Sequence, residues 1–103
     1  MHPKDKGKIQ VSLYTRKKDI PEELDLHGCT VEEGIALVDD YLDKAYLYEL
    51  SPVRLVHGHG SGKLRKALRD FLATHPHVKR FTAGSPQGGG EGVTLVYLEM
   101  ESS

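Results

Sequence analysis

The chain has 103 residues, 38% of them apolar and 28% charged, with a net charge of −1 and a single cysteine, Cys29. That composition suits one small globular domain with one core and excludes an internal disulfide, so a reducing, cytoplasmic setting is expected. No apolar run approaches the ~20 residues of a membrane span, and no hydrophobic stretch follows Met1-His2-Pro3-Lys4 to mark a secretory signal, so no membrane partner is expected.

The near-neutral total conceals a segregation of charge along the chain. Residues 1–19 hold six Lys/Arg against Asp5 and Asp19, residues 22–49 hold nine acids against Lys44, and residues 52–82 hold seven Lys/Arg against Asp70. A basic segment of this kind is the electrostatic footprint of a polyanion partner, although charge runs are also common on solvated helix faces. Residues 1–21 read as a flexible basic lead-in or linker, with an alternating stretch, Ile9–Tyr14, that could form a short strand. A domain over residues 22–101 follows. Glu23 to Leu26 is a short strand stopped by Gly28. Thr30 then caps a helix over Val31–Tyr48, with Glu33 completing a capping box. Val31, Ile35, Val38, Leu42 and Ala45 recur on one face of it, and Ser51-Pro52 ends it. Val53 to Val56 is a second strand, and the strand–helix–strand order implies a right-handed crossover between parallel neighbours. A second helix over Gly62–Thr74 carries the stripe Leu64, Ala67, Leu68, Phe71 and Leu72. Val78–Ala83 alternates as a third strand, Gly84–Gly92 is a flexible loop, and Val93–Glu99 is a largely apolar fourth strand, read as covered on both faces and paired with the third as a hairpin. The result is a two-layer α/β sandwich of order βαβαββ, with a four-stranded mixed sheet and two helices.

The chemistry concentrates where strand two meets helix two, in Leu55-Val56-His57-Gly58-His59-Gly60-Ser61-Gly62-Lys63-Leu64-Arg65. Strand, glycine-rich turn and helix N-terminus together offer backbone N–H groups and a positive dipole end to an anion. A Walker A loop is excluded, because His57 stands where its first glycine belongs and Leu64 follows Lys63; the dinucleotide fingerprint fails too. Both parallel strands end at the same sheet edge, which brings His27 and His57 toward one cleft. His75 and His77 flank Pro76, and with no further ligand at usable spacing they read as loop residues rather than metal ligands. Cys29 could be a low-pKa thiol at a helix start but reads better as a small buried residue. Tyr41, Tyr46 and Tyr48 read as core or helix surface, and stacking aromatics on exposed strands are scarce, which favours recognition of backbone and shape over base sequence.

Three motifs resemble the signatures of one family, the Smr (small MutS-related) domain: Leu24-Asp25-Leu26-His27-Gly28, then His57-Gly58-His59-Gly60 with the turn into helix two, then Gly89-Gly90-Glu91-Gly92-Val93-Thr94. They stand in the right order over about residues 22–99, and the capped first helix is most similar to the C-terminal Smr domain of bacterial MutS2 proteins. The resemblance implies a fold related to the C-terminal domain of translation initiation factor three. It implies nucleic-acid binding and endonuclease activity with little sequence specificity, on DNA or RNA, in a recombination, repair or ribosome-rescue ATPase; the alternative it leaves is a non-catalytic nucleic-acid- or ribosome-binding module. It places function on Asp25, His27, His57 and His59 as candidate catalytic residues. Arginine often stands at the His27 position in MutS2 relatives, so Asp25 is the firmer of that pair. Gly58, Gly60, Ser61, Gly62, Lys63, Arg65, Lys66 and Arg69 are the expected nucleic-acid contacts. On this reading His57 and His27 exchange protons with nucleophile and leaving group, and Asp25 orients a histidine or holds a divalent ion such as Mg or Mn. The isolated domain is expected to be a monomer, even where the parent protein is a dimer. A small-molecule phosphatase or nucleotide-binding domain is a third reading, poorly served by an open loop on so small a sandwich.

Overall fold

In the computed structural model, residues 20–100 are described; the lead-in up to residue 19 and the strand suggested at Ile9–Tyr14 lie outside them. The elements are β1 (Glu23–Asp25), α1 (Val31–Leu47), β2 (Val53–Val56), α2 (Lys63–Ala73), β3 (Val78–Ala83) and β4 (Val93–Leu98). The sheet order is β1-β2-β4-β3; β1 and β2 are parallel, and β4 is antiparallel to both of its neighbours. This is the βαβαββ two-layer sandwich the patterning predicts.

Both helices lie over one face of the sheet. Val53, Leu55, Val96 and Leu98 from the strands meet Val38, Leu42 and Ala45 of α1 and Leu68 and Leu72 of α2, and all are buried. Gly34 lets the helices close: a Cβ there would lie 2.7 Å from Leu64 Cδ1. Tyr41 joins this core, and its hydroxyl donates to the carbonyl of Pro21.

The structure corrects four expectations. Helix α1 ends at Leu47, not at the proline. The Glu49 amide donates to Tyr46 O and the Leu50 amide to Ala45 O, with Glu49 at φ +59°, a Schellman turn that satisfies the last carbonyls. Val31 stays 37% exposed at the helix start instead of joining the buried stripe. Strand β4 is only partly covered on its second face: Val93 is buried there, but Leu95 and Tyr97 are half-buried, with the Arg80 guanidinium 3.9 Å above the Tyr97 ring. His75 and His77 are not free loop residues. The His75 side chain is 5% exposed and pairs with Asp39 on α1, while His77 stacks on Tyr46 at 3.7 Å.

Candidate active site at the ends of the parallel strands

Strands β1 and β2 run side by side with Asp25 opposite Val56, so both deliver their next residues to one edge. The two glycine-bearing turns touch there, with Gly58 facing His27 Cβ. Leu26 continues the ladder through its amide to Val56 O, at 2.7 Å. Asp25 and His27 then leave the ladder as a pair. Asp25 Oδ1 accepts from the His27 amide at 3.1 Å and from His27 Nδ1 at 2.7 Å. Neither bond uses Asp25 Oδ2 or His27 Nε2. Both side chains are exposed, His27 by 76% and Asp25 by 57%, so the free atoms are open to a ligand. Their mutual hydrogen bond raises the His27 pKa above its ordinary value and lowers that of Asp25.

His57 has a different environment. It is buried, and both ring nitrogens meet protein atoms: Nδ1 lies 3.1 Å from Gly58 O and Nε2 lies 2.8 Å from Thr94 Oγ1. The carbonyl can only accept, so Nδ1 carries the proton and the threonine hydroxyl donates to Nε2. Burial, above all, pushes the His57 pKa down and favours this neutral ring. Thr94 is fully buried and also accepts from Arg69 Nε at 3.3 Å. The third motif holds the second in place: the amides of His57 and Gly58 both donate to Gly92 O. The Gly84–Gly92 stretch is not an open loop but folds into two 3-10 turns, Pro86–Gly88 and Gly90–Gly92, the first capped by Ser85 Oγ. His59 is exposed and lies flat against Gly92, where a Cβ would fall 2.8 Å from its ring.

A cleft of about 310 Å³ opens between the starts of the two helices. It is lined by Gly28, Cys29, Thr30 and Val31 on one side and by His57, Gly58 and Gly60 to Arg65 on the other. The two helix starts differ in charge. At α1, Thr30 and Glu33 form the full capping box, and Glu32 and Glu33 fill the first turn. At α2, the cap is Gly62 in a left-handed conformation; it supplies no side chain, and no acid lies in the first turn. An anion entering the cleft therefore meets its attraction at α2, beside Lys63 and Arg65. Of the expected phosphate contacts, Gly58, Gly60, Ser61, Gly62, Lys63 and Arg65 line this cleft. Lys66 stands outside it, 3.3 Å from Asp70, and Arg69 lies beneath, 3.6 Å from Glu91 Oε1. Arg65 is also 3.6 Å from Glu91. Cys29 lines the cleft as a half-buried thiol whose pKa is raised, chiefly by burial, the opposite of the shift that activates a thiolate.

Thr94 and Glu91 are the members of this site that sequence reasoning missed. The signal for Thr94 was a lone hydroxyl in the apolar run of β4. Glu91 gave none beyond standing as the single charge among glycines.

A two-layer α/β domain with paired helix starts, an anion cleft and an exposed carboxylate–imidazole pair is the class these features define. The Smr domain pattern matches residues 24–99, and the chain belongs to the Smr domain family. It is 46% identical over 96 residues to a protein named endonuclease MutS2 from Clostridium botulinum (strain Loch Maree / Type A3), covering 93% of this chain and 12% of that protein. A Caldicellulosiruptor bescii protein of the same name is 45% identical over 88 residues, 85% of this chain and 11% of that one. The chain thus spans about a tenth of the length of these curated relatives. Among solved structures, the Smr domain of Thermus thermophilus MutS2 superposes with a TM-score of 0.73 at 44% identity, covering 75% of this chain and 96% of that domain. YdaL, a stand-alone small MutS-related protein from Escherichia coli, superposes with a TM-score of 0.69 at 26% identity, covering 75% of this chain and 63% of YdaL.

Proposed function

We propose that this domain is an endonuclease that cuts phosphodiester bonds with little sequence specificity, in which Asp25 and His27 move the proton and the α2 cradle holds the phosphate. One observation carries the proposal. The Asp25–His27 pair is bonded at 2.7 Å, leaves His27 Nε2 open, and meets at Gly58 the turn that leads into α2, whose first turn holds no acid; neither side chain lines the cleft itself. The relatives named as endonucleases support the same reading.

His27 Nε2 takes the proton of the attacking oxygen, a water on DNA or the 2′-OH on RNA, and Asp25 orients the ring and stabilises the imidazolium that results; as the new O–P bond forms, the bond to the leaving oxygen breaks and that oxygen takes a proton from the imidazolium or from solvent. The Lys63 amide donates to Ser61 Oγ at 3.3 Å; the other amides at the start of α2, with the Lys63 and Arg65 side chains, stabilise the added negative charge on the phosphorus oxygens. His57 serves by position: neutral and bonded at both nitrogens, it fixes the Gly58 carbonyl and the turn that presents the cradle. His59 flanks the phosphate path. Mg or Mn calls for several oxygen ligands in near-octahedral order. Asp25 would offer it one unpaired oxygen, and the carboxylate lies against a ring held toward its cationic form. That donor set fits such an ion poorly.

The test is cleavage of labelled RNA and of supercoiled DNA by the parent chain, His27→Ala and Asp25→Asn, with gel-shift binding measured in parallel. Loss of cleavage with binding kept supports the assignment. Binding by all three with no cleavage by any would make the domain a binding module instead.

A further inference from the structure

A second cluster of ligating side chains lies toward the opposite end of α2 from the cleft. Asp39 and Asp43 stand one turn apart on α1, and His75 follows the C-terminus of α2. One ligand atom from each lies within 4.8 Å of the other two. The His75 Nε2 to Asp39 Oδ1 distance is 3.3 Å. In a tetrahedral zinc centre with bonds of about 2.0–2.1 Å, neighbouring ligand atoms are about 3.3 Å apart. A fourth candidate ligand stands adjacent, since His77 Nε2 is 3.9 Å from Asp43 Oδ1. We propose that Asp39, Asp43, His75 and His77 form a binding site for a divalent transition metal ion of the zinc type, clamping α1 to the α2–β3 turn.

The donor set selects the ion. Two imidazoles with two carboxylates suit Zn²⁺, Co²⁺ or Ni²⁺, whereas Mg²⁺ and Ca²⁺ take oxygen ligands. Charge favours a cation here as well, because Lys44 is the one Lys or Arg among the nine acids of residues 22–49. The histidine is partly preorganised: Phe71 meets its ring edge-on at 5.4 Å, and its side chain is 5% exposed.

Ligation changes one hydrogen bond. Without metal, His75 Nδ1 accepts the His77 amide N–H at 3.1 Å, so its proton sits on Nε2 and points at Asp39. Metal on Nε2 moves that proton to Nδ1, with none released overall. Two N–H groups would then face each other, so the Pro76–His77 peptide must turn. That turn carries His77 along with it, and its ring gives up the stack on Tyr46 to reach the ion. Metal uptake is therefore coupled to a displacement of the His77 amide.

The probes are Zn²⁺ by titration calorimetry and Co²⁺ by visible absorption, on the full chain. One saturable site is expected, with the absorption of a tetrahedral Co²⁺ centre and a rise in thermal midpoint. Asp39→Asn and Asp43→Asn, both at exposed positions, are expected to weaken it about 100-fold, since losing a ligand costs at least as much as losing a group that only orients one. His75→Gln is expected to abolish it, and His27→Gln to leave it unchanged. The His77 amide resonance should move on saturation with Zn²⁺. Absence of saturable binding, or binding that survives both aspartate changes, or an unmoved His77 amide overturns the site. None of these readouts depends on cleavage.

Discussion

Asp25 and His27 act as one unit because a carboxylate bonded to Nδ1 fixes the ring, sets its tautomer and makes its cationic form more stable. The pH dependence follows from that pairing. His27 is the base only when neutral, and its pKa is raised above the ordinary value by Asp25. Cleavage is expected to rise with pH through a midpoint above about 6.5, and Asp25→Asn should bring that midpoint back toward about 6.5 while lowering the rate by 10²–10⁴-fold. His27→Arg separates two roles for this position. Arginine keeps the pairing with Asp25 but exchanges no proton near neutral pH. Loss of cleavage with binding kept supports proton transfer; full activity in His27→Arg would show that position 27 supplies charge alone. His57 gives a stability prediction of its own. Its folded-state pKa is depressed, so the unfolded chain binds more protons as the solution is acidified. The stabilisation is fully present above about pH 6.5 and is lost as pH falls through the folded value. Denaturation midpoints measured from pH 7.5 to 5 are expected to fall, and to fall less steeply in His57→Gln.

At this scale the residue types at the site were legible and their burial was not. His27 and His57 each end a strand and look equivalent in sequence. The structure separates them because position 57 shares the inward parity of Val53 and Leu55, so its ring turns under α2 to Thr94. Residue 27 shares the outward parity of the exposed Glu23 and Asp25, while Leu26 takes the buried position.

Among the elements, α2 carries the proposed phosphate site because its start has no acid in the first turn and is bordered by Lys63 and Arg65. Binding to single- or double-stranded nucleic acid should weaken as salt rises, by about 0.7–0.9 in log–log slope for each phosphate neutralised. Lys63→Glu and Arg65→Glu should each reduce that slope by about 1 on every sequence tried. Lys66→Glu, outside the cleft and already beside Asp70, should change it less; equal effects from all three would show that the cleft is not the phosphate site. Helix α1 contributes stability through its cap, and Thr30→Ala should cost about 1 kcal/mol in chemical denaturation. The start of α1 was readable from Thr30 and Glu33 because a capping box is a sequence pattern. Its end was not, because the left-handed turn is made by Glu49, where glycine would have announced it. The glycine run 84–92 looked like slack chain for the same reason. Composition does not record that the Gly92 carbonyl anchors two amides of the His57 turn.

For the whole molecule, hydrophobic periodicity and the crossover rule were enough to place both parallel strand ends on one edge. Side-chain meetings across 30 or more residues were beyond that reading. His75 with Asp39 is the plainest case, since metal-ligand spacing within one segment says nothing about a partner on another helix. The same topology explains why three short motifs are needed together. The first supplies the Asp25–His27 pair, the second the cradle, and the third the carbonyl and Thr94 hydroxyl that hold the second against the first. Leu68→Ala, which removes a fully buried contact of the helical layer, should cost about 2–5 kcal/mol and lower cleavage only in proportion to the unfolded fraction.

On the proposed mechanism Asp25 and His27 perform the chemistry while the α2 cradle performs the binding. Single-turnover cleavage of RNA and of supercoiled DNA by the parent chain and by His27→Ala, at matched binding saturation, tests it most directly. The parent chain is expected to cut, and the variant to lose about 10²-fold or more at unchanged affinity. Equal cutting by both proteins would contradict it.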